Sequence, residues 1–204
     1  NNLKIAFADN LSSLDPQLNN YAGDRSAGLF FFDMLVGNYH NQLLPSLATE
    51  WKNIDPTTWQ FSLREGVKWS DGEPFVAEDV VYSIERIRNV PGSVAPFTGY
   101  VRTIDSVTIL DPNTLEIKTN VPNPDLPLNL ASVPIVSKHA TENASSEDFN
   151  SGKALVGTGP YTLVSYTPGE RIVAQKNPNY WGEAPIWDKV DYTYTANAAS
   201  RTAA

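Results

Sequence analysis

Apolar and polar residues alternate with a period of two at Trp59, Phe61 and Leu63 against Gln60, Ser62 and Arg64, which predicts a half-buried strand. The same period flanks Asp111-Pro112-Asn113, with Val107-Thr108-Ile109 before it and Leu115-Glu116-Ile117 after it, and predicts a hairpin. Shorter runs predict strands over 3–8, 161–166, 171–175 and 190–194, the middle two joined by the turn Thr167-Pro168-Gly169-Glu170. Two stretches carry the helical period instead. Over 26–36, Leu29, Phe32, Leu35 and Val36 fall on one stripe and Gly37 is placed to end the helix. Over 77–89, Val80, Ile84 and Ile87 fall on one stripe, with Glu78 and Asp79 near the end where the helix dipole favours negative charge.

Between these elements the chain is punctuated by turn formers. The first strand runs into the polar stretch 9–16, and a strand that ends in a long polar loop often carries a site. Residues 91–100 hold two prolines and two glycines and read as a loop that leaves Phe97 and Tyr100 exposed. Three prolines between Val121 and Pro127 exclude a central strand or a helix interior there. Residues 141–152 read as a polar insertion with one short helix. The run Phe30-Phe31-Phe32 reads as core, since large apolar side chains are mostly buried.

Composition narrows the chemistry. With 204 residues, 41% of them apolar and 19% charged, the chain can bury a core as one domain or two small ones. A net charge of -8 disfavours nucleic acid and anionic membrane as partners. No cysteine is present, which removes disulfides, thiolate metal sites and cysteine nucleophiles. No apolar run reaches the ~18 residues of a spanning helix. The chain starts at Asn1, which fits a mature secreted protein whose signal peptide is gone, or a trimmed chain. His40 and His139 stand far apart with no second ligand at metal spacing, so no metal site is expected. No Gly-x-Ser-x-Gly elbow occurs, and no catalytic residue is nominated. Gly157-Thr158-Gly159 is followed by Pro160-Tyr161-Thr162, where a phosphate loop would want a third glycine and a helix start. Glu78 and Asp79 are adjacent on a predicted helix, point in different directions, and read as a solvated face rather than an acid/base pair.

From Pro45 onward the chain shows an ordered set of blocks. They are Pro45-x-Leu47-Ala48-x-x-Trp51, then Trp59, Phe61-x-Leu63-Arg64-x-Gly66-Val67-Lys68-Trp69 and Asp71-Gly72-x-Pro74-x-x-Ala77-x-Asp79-Val80. With Leu14-Asp15-Pro16 before them, and Gly157-Thr158-Gly159-Pro160-Tyr161 and Asn177-Pro178-x-Tyr180-Trp181-Gly182 after them, the whole chain resembles the family 5 solute-binding proteins of ABC transporters. These are the oligopeptide, dipeptide and nickel binders. The signature itself reads as strand, turn, strand and turn leading into a helix, which points to scaffold rather than ligand contact. Val76 stands where relatives often place Ser or Thr to cap that helix, leaving a cap worth ~1 kcal/mol in doubt.

The resemblance implies an α/β fold, the first lobe of a periplasmic-binding-protein-like (type II) clamp with a mixed sheet and an inserted α+β subdomain, the second lobe being missing. Residues 1–45 and 156–204 would form the first-lobe sheet and 46–155 the inserted subdomain. It implies ligand contacts at Leu11, Ser12, Asn19 and Tyr21, at Phe97 or Tyr100 depending on alignment, and at Ser132 with Val133. It implies no enzyme activity, no cofactor and no metal, but capture of a peptide-like ligand outside the cytoplasmic membrane, in the periplasm or anchored at the cell surface. Delivery to the ABC permease follows, by a protein that is a monomer at full length. Other family ligands (a metal chelate, an opine, a sugar) and a non-transport interaction module on the same scaffold remain open at this stage, as does a hydrolase using Ser12 or His40.

Overall fold

The computed structural model describes residues 1–203. In chain order the elements are β1 (Asn2–Phe7), α1 (Ala22–Gly28), β2 (Val36–Tyr39), β3 (Gln42–Pro45), β4 (Ala48–Asp55), β5 (Thr58–Leu63), α2 (Ala77–Ile87), β6 (Ile104–Asp111) and β7 (Thr114–Thr119). There follow α3 (Leu126–Leu130), α4 (Lys138–Thr141), α5 (Ser146–Asn150), β8 (Tyr161–Thr167), β9 (Arg171–Lys176), β10 (Lys189–Tyr194) and α6 (Ala198–Ala203).

One four-stranded sheet runs β1-β10-β9-β8. Its first pair is parallel, with Leu3 opposite Val190 and Ile5 opposite Tyr192, and the other two pairs are antiparallel. A parallel pair needs a long crossover; here the rest of the fold is that crossover. Phe7 closes the pairing by stacking on Tyr192, ring centroids 3.8 Å apart. The second sheet, β4-β5-β7-β6, is antiparallel throughout and lies wholly within the crossover. The architecture is therefore a mixed α/β sheet with an α+β unit inserted between its strands. Each sheet has its own core. Phe61, Trp69, Val80, Ile84 and Ile117 centre one, and Phe31, Phe32, Phe149, Ile172 and Val190 centre the other.

α2 follows its sequence pattern closely. Val80, Ile84 and Ile87 are buried against the second sheet, each contributing roughly 1.5–3 kcal/mol. Val76 has no side-chain acceptor, and the helix start is secured from the other side: Asp79 Oδ2 accepts the Val76 N–H at 2.9 Å. The solvated-face expectation holds for Glu78 and fails for Asp79, which is buried. Its carboxylate also accepts from Trp69 Nε1 at 3.1 Å and from the Lys138 N–H at 2.9 Å, so it ties three segments together.

The helix expected over 26–36 is shorter and earlier. α1 ends at Gly28, and Val36 opens a strand. The reason is a competing backbone partner: the Phe30 and Phe31 carbonyls accept the Tyr161 and Gly159 N–H groups, both at 2.9 Å, and so leave the helix. That contact explains Gly157-Thr158-Gly159. A Cβ on Gly157 would lie 1.8 Å from the Phe31 carbonyl oxygen, and one on Gly159 2.5 Å from the Phe31 carbonyl carbon, so side chains are excluded where the two backbones meet.

Among the elements without a counterpart in the sequence pattern are β2, β3, β4 and α3. The β2–β3 ribbon turns on His40 and Asn41, with φ of 49° and 64°, a two-residue turn built without the glycine that usually signals it. β4 is mostly exposed and pairs with β5 despite little alternation.

The motif blocks converge on one staple. Asp33 Oδ2 accepts from Thr158 Oγ1 and from Trp181 Nε1, each at 2.8 Å. The Arg64 guanidinium lies 4.4 Å from the Trp181 ring centroid and donates to the Ser46 carbonyl at 3.0 Å. Burial pushes the Asp33 carboxyl above its ordinary pKa, opposed by its bonds to Trp181 and Thr158 and by the Arg64 charge.

Candidate ligand-binding cleft

The loop between β1 and α1 is locked from within the protein. Arg86 donates to both oxygens of Asp15, at 3.0 and 2.7 Å, and Asp15 is fully buried. Ser146 Oγ and the Gln17 N–H complete the carboxylate, at 2.6 and 3.0 Å, while Gln17 Nε2 donates to the carbonyls of Ser83 and Pro134. Ser13, Leu14 and Gln17 are buried together with Asp15, and Ser12 is the exposed residue of this stretch.

Asn19 is buried and acts as a clip. Its Oδ1 accepts the N–H groups of Val94 and Ala95, at 3.0 and 3.2 Å, and its Nδ2 donates to Ser12 Oγ at 3.2 Å. Ser12 is exposed, and its N–H and hydroxyl both donate to Asp24, the amide at 2.9 Å. Burial raises the Asp24 pKa, and the two Ser12 bonds oppose the rise. The loop after β1, the start of α1 and the 91–100 loop are thus one hydrogen-bonded unit.

Beside this unit lies a cleft of 220 Å³, walled by Pro16, Leu29, Phe32, Met34, Phe97 and Pro134, with Asp24, Arg25 and Ser132 among its polar members. Arg25 Nη2 donates to Ser132 Oγ at 2.9 Å, and its Nη1 donates to Tyr100 Oη at 3.4 Å and Asn20 Oδ1 at 3.3 Å. Donation from the Asn20 amide lowers the Tyr100 pKa, with the Arg25 charge and a Ser132 bond adding to it and burial working against it.

The expected contact residues divide accordingly. Ser132 lines the cleft, Tyr100 braces it through Arg25, and Tyr21 is exposed at the start of α1. Phe97, expected on the loop surface, is 1% exposed: the loop folds into a short 3-10 turn over Thr98–Tyr100 that points this ring into the core, where it floors the cleft. Val133 is fully buried and Leu11 nearly so, because their side chains pack into the two cores. The sequence reading missed Asp24, Arg25 and Leu29. Asp24 and Arg25 on α1, with Leu29 as the residue that caps it, stand beside the polar loop, and that signal was obscured by placing the helix four residues too late.

A second constellation elsewhere resembles a hydrolase row. His139 Nε2 lies 2.7 Å from Asp71 Oδ2, and Ser137 Oγ lies 3.0 Å from His139 Nδ1. Ser137 is fully buried and its hydroxyl accepts the Ala140 N–H, capping α4, so it cannot meet a substrate. Ser12 is committed to Asp24, and the His40 ring packs on Tyr39 at the β2–β3 turn. Among the described residues no helix is long and apolar enough to cross a membrane.

Residues 42–204 match the family profile "Bacterial extracellular solute-binding proteins, family 5 Middle". The chain is 31% identical over 194 residues to the periplasmic oligopeptide-binding protein OppA of Salmonella typhimurium, which covers 85% of this chain and 35% of that protein. It superposes on the murein tripeptide binding protein MppA of Escherichia coli with a TM-score of 0.89 at 27% identity, over 99% of this chain and 44% of that one. It superposes on the periplasmic binding protein DppA of Helicobacter pylori, solved in complex with the peptide STSA, with a TM-score of 0.86 at 27% identity, over 100% of this chain and 44% of that one. The chain thus spans about a third of the length of the curated relative. Blocks, fold and cleft agree with the profile match over most of the sequence, and the chain belongs to the family 5 bacterial extracellular solute-binding proteins.

Proposed function

We propose that this chain forms part of the solute-capturing component of an ABC importer, which takes a peptide-like ligand outside the cytoplasmic membrane and delivers it to a membrane permease. The observation that carries this is the cleft itself: the loop after β1, α1, the 91–100 loop and the turn at Ser132 converge on one concave, mostly apolar wall with a few polar groups. Such walls suit small ligands. The names of the oligopeptide- and murein tripeptide-binding relatives support the ligand class.

In this reading residues 1–45 and 156–204 form the first-lobe sheet and 46–155 the inserted subdomain. Ligand contacts come from Ser12, Tyr21, Tyr100 and Ser132, with Phe97 as a floor and Leu11, Asn19 and Val133 contributing backbone or support. The part of the relatives that this chain does not span supplies the opposite jaw, and hinge closure encloses the solute. The working protein is a periplasmic or surface-anchored monomer.

The test is mass spectrometry of the solute that co-purifies with the whole natural polypeptide, followed by calorimetry with that solute. A bound peptide is the expected result. A non-peptide solute would overturn the ligand class, and hydrolysis of the solute by the pure protein would overturn the transport reading.

A further inference from the structure

Arg25 is exposed on α1, lines the cleft, and forms no salt bridge with any carboxylate among the described residues. Asp24, its neighbour in sequence, is committed through both oxygens to the Ser12 amide and hydroxyl. The guanidinium is nonetheless held in place: Ser132 Oγ, Asn20 Oδ1 and Tyr100 Oη each accept from it, and its Cζ lies 6.0 Å from the Tyr100 ring centroid. A long cation fixed by three neutral acceptors has lost its side-chain freedom without being neutralised.

The hydrogen-bond inventory is lopsided. A guanidinium carries five N–H donors, and three serve the bonds just named. Ser132 and Tyr100 each accept from Arg25 and bond to one another, so at most one of their two hydroxyl protons is left over. Unused donors and an unpaired positive charge therefore gather at one end of a cleft whose other walls, Leu29, Phe32, Phe97 and Pro134, are apolar. The group that completes such an end is a planar, doubly accepting anion, and the group that completes the walls is a hydrocarbon.

We propose that Arg25, braced by Ser132 and Tyr100, anchors a carboxylate of the captured solute, with the adjoining apolar wall taking an aliphatic or aromatic side chain. The proposal rests on the solute-capture reading and narrows it: the ligand presents a free carboxylate, whether a peptide's C-terminus or that of a non-peptide acid, toward α1.

Calorimetry on the whole natural polypeptide with tri-alanine, tri-alanine C-terminal amide and glutarate separates the cases, using the wild type, Arg25→Gln and Arg25→Lys. Gln is a good helix former, and the Leu29 N–H bonds the Arg25 backbone carbonyl, so α1 survives the change. The expected result is that tri-alanine binds about 10- to 100-fold more tightly than its amide, that Arg25→Gln brings the two to equal affinity, and that Arg25→Lys recovers part of the difference. Glutarate binding that is lost in Arg25→Gln, with no binding of tri-alanine, keeps the anchor and overturns the peptide reading. Equal binding of acid and amide by the wild type, or a carboxylate affinity unchanged in Arg25→Gln, overturns the anchor and leaves peptide capture standing. Failure of all three probes to bind the wild type also overturns the anchor.

Discussion

Replacing Gly157 by alanine tests the central packing claim, that the segment after α1 and the Gly157-Thr158-Gly159 turn touch backbone to backbone. The new Cβ would sit 1.8 Å from the Phe31 carbonyl oxygen, 2.8 Å from its carbon and 3.2 Å from the Phe32 ring. The first distance is roughly 1.5 Å short of van der Waals contact. Neither partner can retreat freely. The Phe31 carbonyl accepts the Gly159 N–H at 2.9 Å, the Gly157 carbonyl accepts the Ser70 N–H at 2.9 Å, and both Phe31 and Phe32 are 1% exposed. Overpacking costs ~1–3 kcal/mol and leaving buried backbone groups unpaired ~1–3 kcal/mol each, so ~3–6 kcal/mol is expected. Against a total stability of ~5–15 kcal/mol this takes away a large share. With a urea slope of ~2 kcal/mol per molar, the unfolding midpoint, followed by tryptophan fluorescence, should fall by ~1.5–3 M. Gly99→Ala is the control, since its Cβ would meet nothing within 4 Å, and it should stay within ~0.5 kcal/mol of the wild type. Equal midpoints for Gly157→Ala and Gly99→Ala would refute the reasoning.

Further outcomes follow from the same geometry. Arg86→Met leaves the fully buried Asp15 without its cation and should lower stability by ~3–5 kcal/mol in chemical denaturation, whereas loss of an exposed pair such as Arg171 with Asp191 should cost under ~1 kcal/mol. Asn19→Ala strands the Val94 and Ala95 N–H groups and should cost ~1–3 kcal/mol while speeding hydrogen exchange and proteolysis in the 91–100 loop; unchanged exchange there would sink the clip. Asp33 has its folded pKa raised by burial, so the stability tied to it is fully present below its ordinary pKa and declines as pH rises through the folded value. Asp33→Asn keeps one oxygen for Thr158 and Trp181 and removes the desolvated charge; its thermal midpoint should exceed the wild type's at pH 7 and match it near pH 3.

Much was legible along the chain because its signal is local. β5, the β6–β7 hairpin, β9 and α2 each follow a period of two or 3.6 over a handful of residues, and those periods fix which face is buried. The ordered blocks identified the family for a related reason. Arg64, Thr158 and Trp181 lie in three different blocks and meet at or beside Asp33, so each block is a piece of one staple that the order along the chain preserves. The β2–β3 ribbon escaped because His40-Asn41 lacks a glycine, and α1 was misplaced because Phe30 and Phe31 look helical until their carbonyls find other partners.

The sequence by itself therefore determined the family, the strands and the amphipathic helix, since these depend on residues within one turn or one hairpin of each other. Only the tertiary structure decided that β1 lies parallel to β10, that Phe97 and Val133 turn inward, and that Arg25 stands unneutralised beside Ser132 and Tyr100. Those outcomes depend on contacts between residues about 75 to more than 180 positions apart, where the period of a local pattern carries no information about which surface will be covered.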